Sequence, residues 1–161
     1  AQRLAMESSH IFTAVGCMSF YLLMSPVSTY SPIPIMEVHG FLDQVVLYES
    51  SVLSVPTNPE SWTDPEAVQT GAIENLYEWA NLNGCTGLTP DYNDQQPLYS
   101  VQGFSDCEND SQVRLMTIFG AQHNPYAKDY SGEGLGVLLL GTQGLVQSSY
   151  FVWDFISQFS K

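Results

Sequence analysis

An α/β domain with a mostly parallel sheet and helices on both faces is the fold class this chain predicts, and three stretches carry the prediction. Residues 35–38 have strand character and run into His39-Gly40, with an acid, Asp43, five residues past the strand. Residues 113–119 form a second run of β-branched and aromatic character, which breaks at Gly120 and delivers His123. Between them, apolar residues recur at intervals of three and four over residues 65–83, the period of a helix with one buried face. Open α/β sheets place their sites at strand carboxyl ends, so Asp43 and His123 both stand where chemistry is done. An acid followed by a histidine is the second half of a serine, acid, histidine chain order.

Each element follows from local signals. Residues 1–9 suit a helix, and residues 12–16 a short buried strand. Residues 18–34 hold Ser25-Pro26, Ser31-Pro32 and Ile33-Pro34, so they connect elements rather than form one. The acid loop is closed by the apolar pair Val45-Val46, and residues 50–65 are rich in Ser, Pro, Asn and Asp. Asp64 as N-cap and Pro65 at the first helical position begin the long helix. Its inward positions are Ala67, Val68, Ala72, Ile73, Leu76, Tyr77, Ala80 and Leu82. Gly71 weakens its middle and Asn83-Gly84 supplies a left-handed stop. Residues 86–110 have few apolar anchors and read as a loop insertion, with a short strand at 98–101. A glycine-rich tract at 131–144 encloses Val137-Leu138-Leu139-Leu140, for which helical turn and extended segment both stay open. Residues 145–159 close the domain as a helix whose Val146, Tyr150, Val152, Trp153, Ile156 and Phe159 face the sheet.

Charge excludes several partners. Seventeen acids against four lysines and arginines give a formal charge of −13 over 161 residues, a surface that repels phosphate backbones and anionic membranes. A neutral polymer or a small ester is compatible with it. The length allows one domain, or part of one, burying about two thirds of its unfolded surface. No apolar run approaches the roughly 18 residues of a membrane span, and no signal peptide stands at the start as written. The chain opens at Ala1 in what reads as the middle of a helix, so a fragment or a processed chain is expected. The three cysteines, Cys17, Cys85 and Cys107, form no C-x-x-C and have no histidine at zinc spacing, so no metal and no cofactor are expected.

The segment His39-Gly40-Phe41-Leu42-Asp43-Gln44-Val45-Val46 resembles the H-G-x-x-D-x-x-V acid loop of α/β-hydrolases, and specifically of the secreted poly(3-hydroxybutyrate) depolymerase and feruloyl esterase family. Tyr77 to Cys85, then Cys107, then Gly120-Ala121-Gln122-His123-Asn124-Pro125 follow in the same order as in that family, so the likeness covers most of the chain. The resemblance implies the C-terminal part of an α/β-hydrolase fold, residues 1–161 being a partial domain. It places the nucleophile elbow just upstream of Ala1, and no G-x-S-x-G occurs in these residues: Ser19 and Ser131 both lack the flanking glycines. It also implies a disulfide between Cys85 and Cys107 closing the insertion, hence an oxidising compartment and secretion; two free thiols in a reducing compartment are the alternative.

The activity implied is hydrolysis of a carboxylic ester, from a polyester or a plant-wall feruloyl or acetyl ester. His123 is the expected general base and Asp43 the acid that orients it. His39 and Gly40 are expected to be structural, His39 through a hydrogen bond to neighbouring backbone, and His10 to be solvated. Strand alternation sets Glu37 away from the loop rim. Trp79 and Trp153 fall at helical spacing and are expected in the core. Trp62 is a candidate surface contact for substrate, and Tyr126 is placed against the substrate cleft, with packing under the loop as its alternative. Two other readings of the whole remain: a non-catalytic secreted binding protein on a hydrolase fold, and a lipase or peptidase of that fold.

Overall fold

The computed structural model describes residues 1–22, 26–49, 71–123, 126, 128 and 146–159. Two strands at its centre, β2 (Ile35–Gly40) and β5 (Val113–Ile118), are buried at every position, as strands covered on both faces must be. They pair in parallel, and β1 (Val15–Met18) pairs in parallel with the other edge of β2. Beyond β5 the sheet changes sense. Strand β4 (Tyr99–Phe104) runs antiparallel to β5, and β3 (Tyr92–Gln95) antiparallel to β4, giving the order β1-β2-β5-β4-β3.

Helices cover both faces. On one, α1 (Gln2–Ser8) and α2 (Ala72–Leu82) bury Ala5, Met6, Leu76 and Trp79 against Val15, Ile35, Val113 and Leu115. On the other, α3 (Ser148–Ile156) brings Phe155, with Phe151, Val152 and Ile156, against Met36, Val38, Met116 and Ile118. No helix among the described residues is long and apolar enough to cross a membrane.

The sheet is mixed rather than mostly parallel, and the reason lies in residues 86–110. Instead of hanging as a loop, this stretch folds into the β3–β4 hairpin, turned through the Gln96 N–H to Tyr99 carbonyl bond of 2.8 Å. Strand β3, Tyr-Asn-Asp-Gln, is mostly exposed and polar, so it shows no apolar alternation; it is held by pairing and by Arg114 lying 4.2 Å over the Tyr92 ring. The strand expected at 98–101 extends to Phe104. The strand expected at 12–16 begins and ends later, as β1, and β2 continues two residues beyond 38. In the long helix Gly71 is the N-cap rather than an interior residue, and Asn83 with Gly84 at φ +59° ends it as expected. Asp64, Pro65, Ala67, Val68 and the tract 131–144 lie outside the described residues.

Two aromatic assignments on α3 are overturned. Tyr150 and Trp153 are 69% and 64% exposed. Phe151, Val152, Phe155, Ile156 and Phe159 form the stripe that packs, and at 100° per residue positions 150 and 153 fall on the opposite side. Trp79, by contrast, is fully buried and its indole N–H donates to Gln2 at 2.7 Å.

Cys85 and Cys107 are joined in a disulfide, and Cys17 is a buried free thiol. The bridge ties the end of α2 to the turn before β5, beside the Thr86 N–H to Asp106 carbonyl bond of 2.8 Å. Closing a loop of 22 residues removes entropy from the unfolded chain equivalent to about 3 kcal/mol. Cys85→Ser is therefore expected to lower Tm by on the order of 10 °C under oxidising conditions; an unchanged melting curve would show that the bridge adds nothing to stability.

Candidate active site

Pairing of Gly40 with Ile118 makes β2 and β5 release their chains side by side at one edge. The two loops are then stitched together: Phe41 N–H donates to Ile118 at 3.1 Å and Leu42 N–H to Ala121 at 2.9 Å. Gly40 makes the close approach possible, because a Cβ there would lie 2.6 Å from the carbonyl oxygens of both Ala121 and Gln122. After β5 the chain turns at Gly120, φ +77°, and presents His123.

The result is a contact between residues 80 positions apart. His123 Nδ1 lies 2.8 Å from Asp43 Oδ2, with the carboxylate fully buried and the imidazole 21% exposed. The other carboxylate oxygen, Oδ1, accepts the backbone N–H groups of Val45 and Val46, each at 2.9 Å. Tyr126 reaches the same place from below. Its hydroxyl accepts the Gly40 N–H at 2.9 Å and stands 3.4 Å from Asp43 Oδ2. Burial opposes the charge on Asp43, but the His123 bond and the Val46 and Val45 N–H groups outweigh it and hold the carboxyl below its ordinary range. On the acid loop, flanking Asp43, Phe41, Leu42 and Val45 are exposed apolar side chains, an apolar rim on the solvent side.

A carboxylate holding one imidazole nitrogen fixes the tautomer and leaves the other nitrogen, Nε2, to move a proton. The pair is thus a buried carboxylate holding an imidazole whose second nitrogen is free of that contact. Among the described residues no group of three or more His, Cys, Asp and Glu is gathered to hold a metal.

The chain is similar to part of an esterase. Over 129 residues, 80% of its length, it is 30% identical to feruloyl esterase B of Piromyces equi, and the match spans 18% of that protein. No protein-family model matches the chain.

The structure brings Asp43, His123, Gly40 and Tyr126 together. Tyr126 is fully buried, so it packs beneath the loop and offers no surface to a cleft. His39 makes the backbone bond expected of it, Nε2 to the Val46 carbonyl at 2.7 Å, and His10 is exposed. Trp62 lies outside the described residues. Glu37 lies on the strand face opposite Met36 and Val38, and it is not idle: its carboxylate is buried against His39 Nδ1 at 2.8 Å and accepts Asn75 Nδ2. Glu37 and His39 are two residues apart on one strand and thus share a face, a parity that was available in the sequence. Nothing in the sequence pointed to Asn75 or Gln2 as their partners.

Gly40→Ala is expected to push the 121–123 turn away from Asp43 and to lower Tm by several degrees; an unchanged melting curve would show that the turn adapts. The acid side of the stability curve gives a second test. Asp43 is depressed in the folded state, so its contribution is complete above the unfolded value of about 3.9 and is lost as pH falls through the lower folded value. The loss of Tm on acidification below about pH 4 should therefore be smaller in Asp43→Asn than in the parent, and equal slopes would contradict the depressed carboxyl.

Proposed function

We propose that the protein is a carboxylic ester hydrolase acting by the acyl-serine route, with Asp43 and His123 as two members of its triad. The observation that carries this reading is the buried Asp43 carboxylate on His123 Nδ1 at the carboxyl edge of two parallel strands. The likeness to part of a feruloyl esterase supports it. The fold it belongs to on this reading is the C-terminal part of an α/β-hydrolase, and the serine and oxyanion hole are supplied from sequence preceding Ala1.

In that mechanism His123 Nε2 takes the serine hydroxyl proton as the oxygen attacks the ester carbonyl. Asp43 stabilises the imidazolium that forms. The proton then passes to the departing alcohol, and a water molecule, activated by the same nitrogen, releases the acid. The substrate class is a polyester or a plant-wall feruloyl or acetyl ester, and the apolar rim of Phe41, Leu42 and Val45 suits an apolar acyl part. The disulfide fits a protein exported to an oxidising medium, and the charge of −13 fits an uncharged substrate better than a polyanion.

In the protein carrying this chain, His123→Ala is expected to lower kcat on an aryl-acyl ester by several orders of magnitude, with the far-ultraviolet dichroism unchanged. A loss of less than about tenfold would remove His123 from the mechanism.

A further inference from the structure

A second acid–histidine pair lies behind the first and is closed to solvent. His39 is fully buried, with Nδ1 2.8 Å from Glu37 Oε1, Nε2 2.7 Å from the Val46 carbonyl oxygen, and Nε2 3.5 Å from Asp43 Oδ2. A carbonyl oxygen only accepts, so Nε2 carries a hydrogen whichever of Glu37 and His39 holds the other proton. The Val46 backbone is therefore gripped twice, its carbonyl by His39 and its N–H by Asp43 Oδ1 at 2.9 Å. The ring itself cannot swing. Tyr21 lies parallel to it within 4° at 5.7 Å, and Tyr48 meets its edge at 6.1 Å.

We propose that His39, anchored by Glu37, is a positioning residue for Asp43: it acts on ester turnover only through the placement of that carboxylate and touches no substrate. This rests on the ester-hydrolase reading of Asp43 and His123. An apolar residue of similar volume would fill the same space without the desolvation cost of a buried acid and imidazole. What the polar pair adds is direction, since its hydrogen bonds converge on the backbone that holds the Asp43 carboxylate. Asn75 from α2 fixes the far oxygen of Glu37, so the anchor reaches back to a helix rather than ending in a loop.

A double-mutant cycle on kcat separates this role from ordinary packing. His39→Leu, close to the parent in volume, is expected to lower kcat about 10- to 100-fold with KM within about threefold. In an Asp43→Asn background the same change should cost less than about twofold, because the carboxylate it places is already gone. Equal factors in the two backgrounds would overturn the proposal while leaving the hydrolase reading intact. An Asp43→Asn protein with undiminished kcat would instead overturn the hydrolase reading itself. His39→Gln keeps an amide N–H for the Val46 carbonyl and should recover part of the lost rate; where His39→Leu fails to fold, additive losses in the His39→Gln cycle overturn the proposal in the same way.

Discussion

Six residues of β2 lie in register against six of β5, from Ile35 beside Val113 to Gly40 beside Ile118, and the site exists because of that register. Both strands are buried on both faces, so a slip by one residue would drive Glu37 and His39 into the apolar layer formed by Met36, Val38, Met116 and Ile118. Nearly the whole apolar set of the centre would have to change sides at once. The register is thereby over-determined, and with it the position at which the acid loop and the histidine turn emerge. Residues 80 apart in sequence meet because two strands have only one acceptable alignment.

The layer between β2 and α2 holds more polarity than a core of this size needs for stability. Glu37, His39, Asp43, Asn75 and Gln2 are all buried, and each costs desolvation unless its hydrogen bonds are made. They are made in sequence: Trp79 to Gln2, Asn75 to Glu37, Glu37 to His39, His39 to Val46, Val46 to Asp43. Burial pushes the Glu37 carboxyl up, with His39 and Asn75 opposing it. Burial likewise disfavours the His39 imidazolium, and the Glu37 bond outweighs it, so the histidine is raised. The two shifts agree physically: the pair retains its proton, and the hydrogen on Nε2 is present in either form.

Much of the centre was legible in the sequence, and the reasons are local. Asp43 and His123 each follow a hydrophobic strand and a glycine, and chain-local turn chemistry fixes where such a residue points. Helix α2 announced its Asn83-Gly84 stop and Ala72, Leu76, Trp79 and Ala80 of its buried stripe, but Tyr77, expected inward, is 42% exposed, and Asn75 is buried instead. What was hidden depends on partners far away. Strand β3 is polar and mostly exposed, so only its pairing with β4 reveals it, and the mixed sheet followed from that omission. Trp153 was misplaced because a helix rich in aromatics on all sides does not say which stripe is inward; Gly16, whose missing side chain leaves room for Val152, decides it. Tyr126 looked like a cleft residue because it follows His123 closely, yet its hydroxyl is needed on the Gly40 N–H.

Tyr126 carries the argument one step further. Its φ of +50° is unfavourable for a bulky side chain by on the order of 1 kcal/mol, and strain of that kind persists only where the surroundings dictate it. Here they do. The hydroxyl holds Gly40 and approaches Asp43, while the carbonyl accepts both the Ser148 hydroxyl at 2.7 Å and the Ser148 N–H at 3.2 Å. Through this residue the start of α3 is tied to the acid loop from one face of the sheet, as α1 and α2 are tied to it through Gln2, Asn75 and Glu37 from the other. Both helical layers thus grip one carboxylate from behind. The side chains they leave untouched, Phe41, Leu42 and Val45, are exposed on the solvent side and are the ones able to change without disturbing the buried carboxylate.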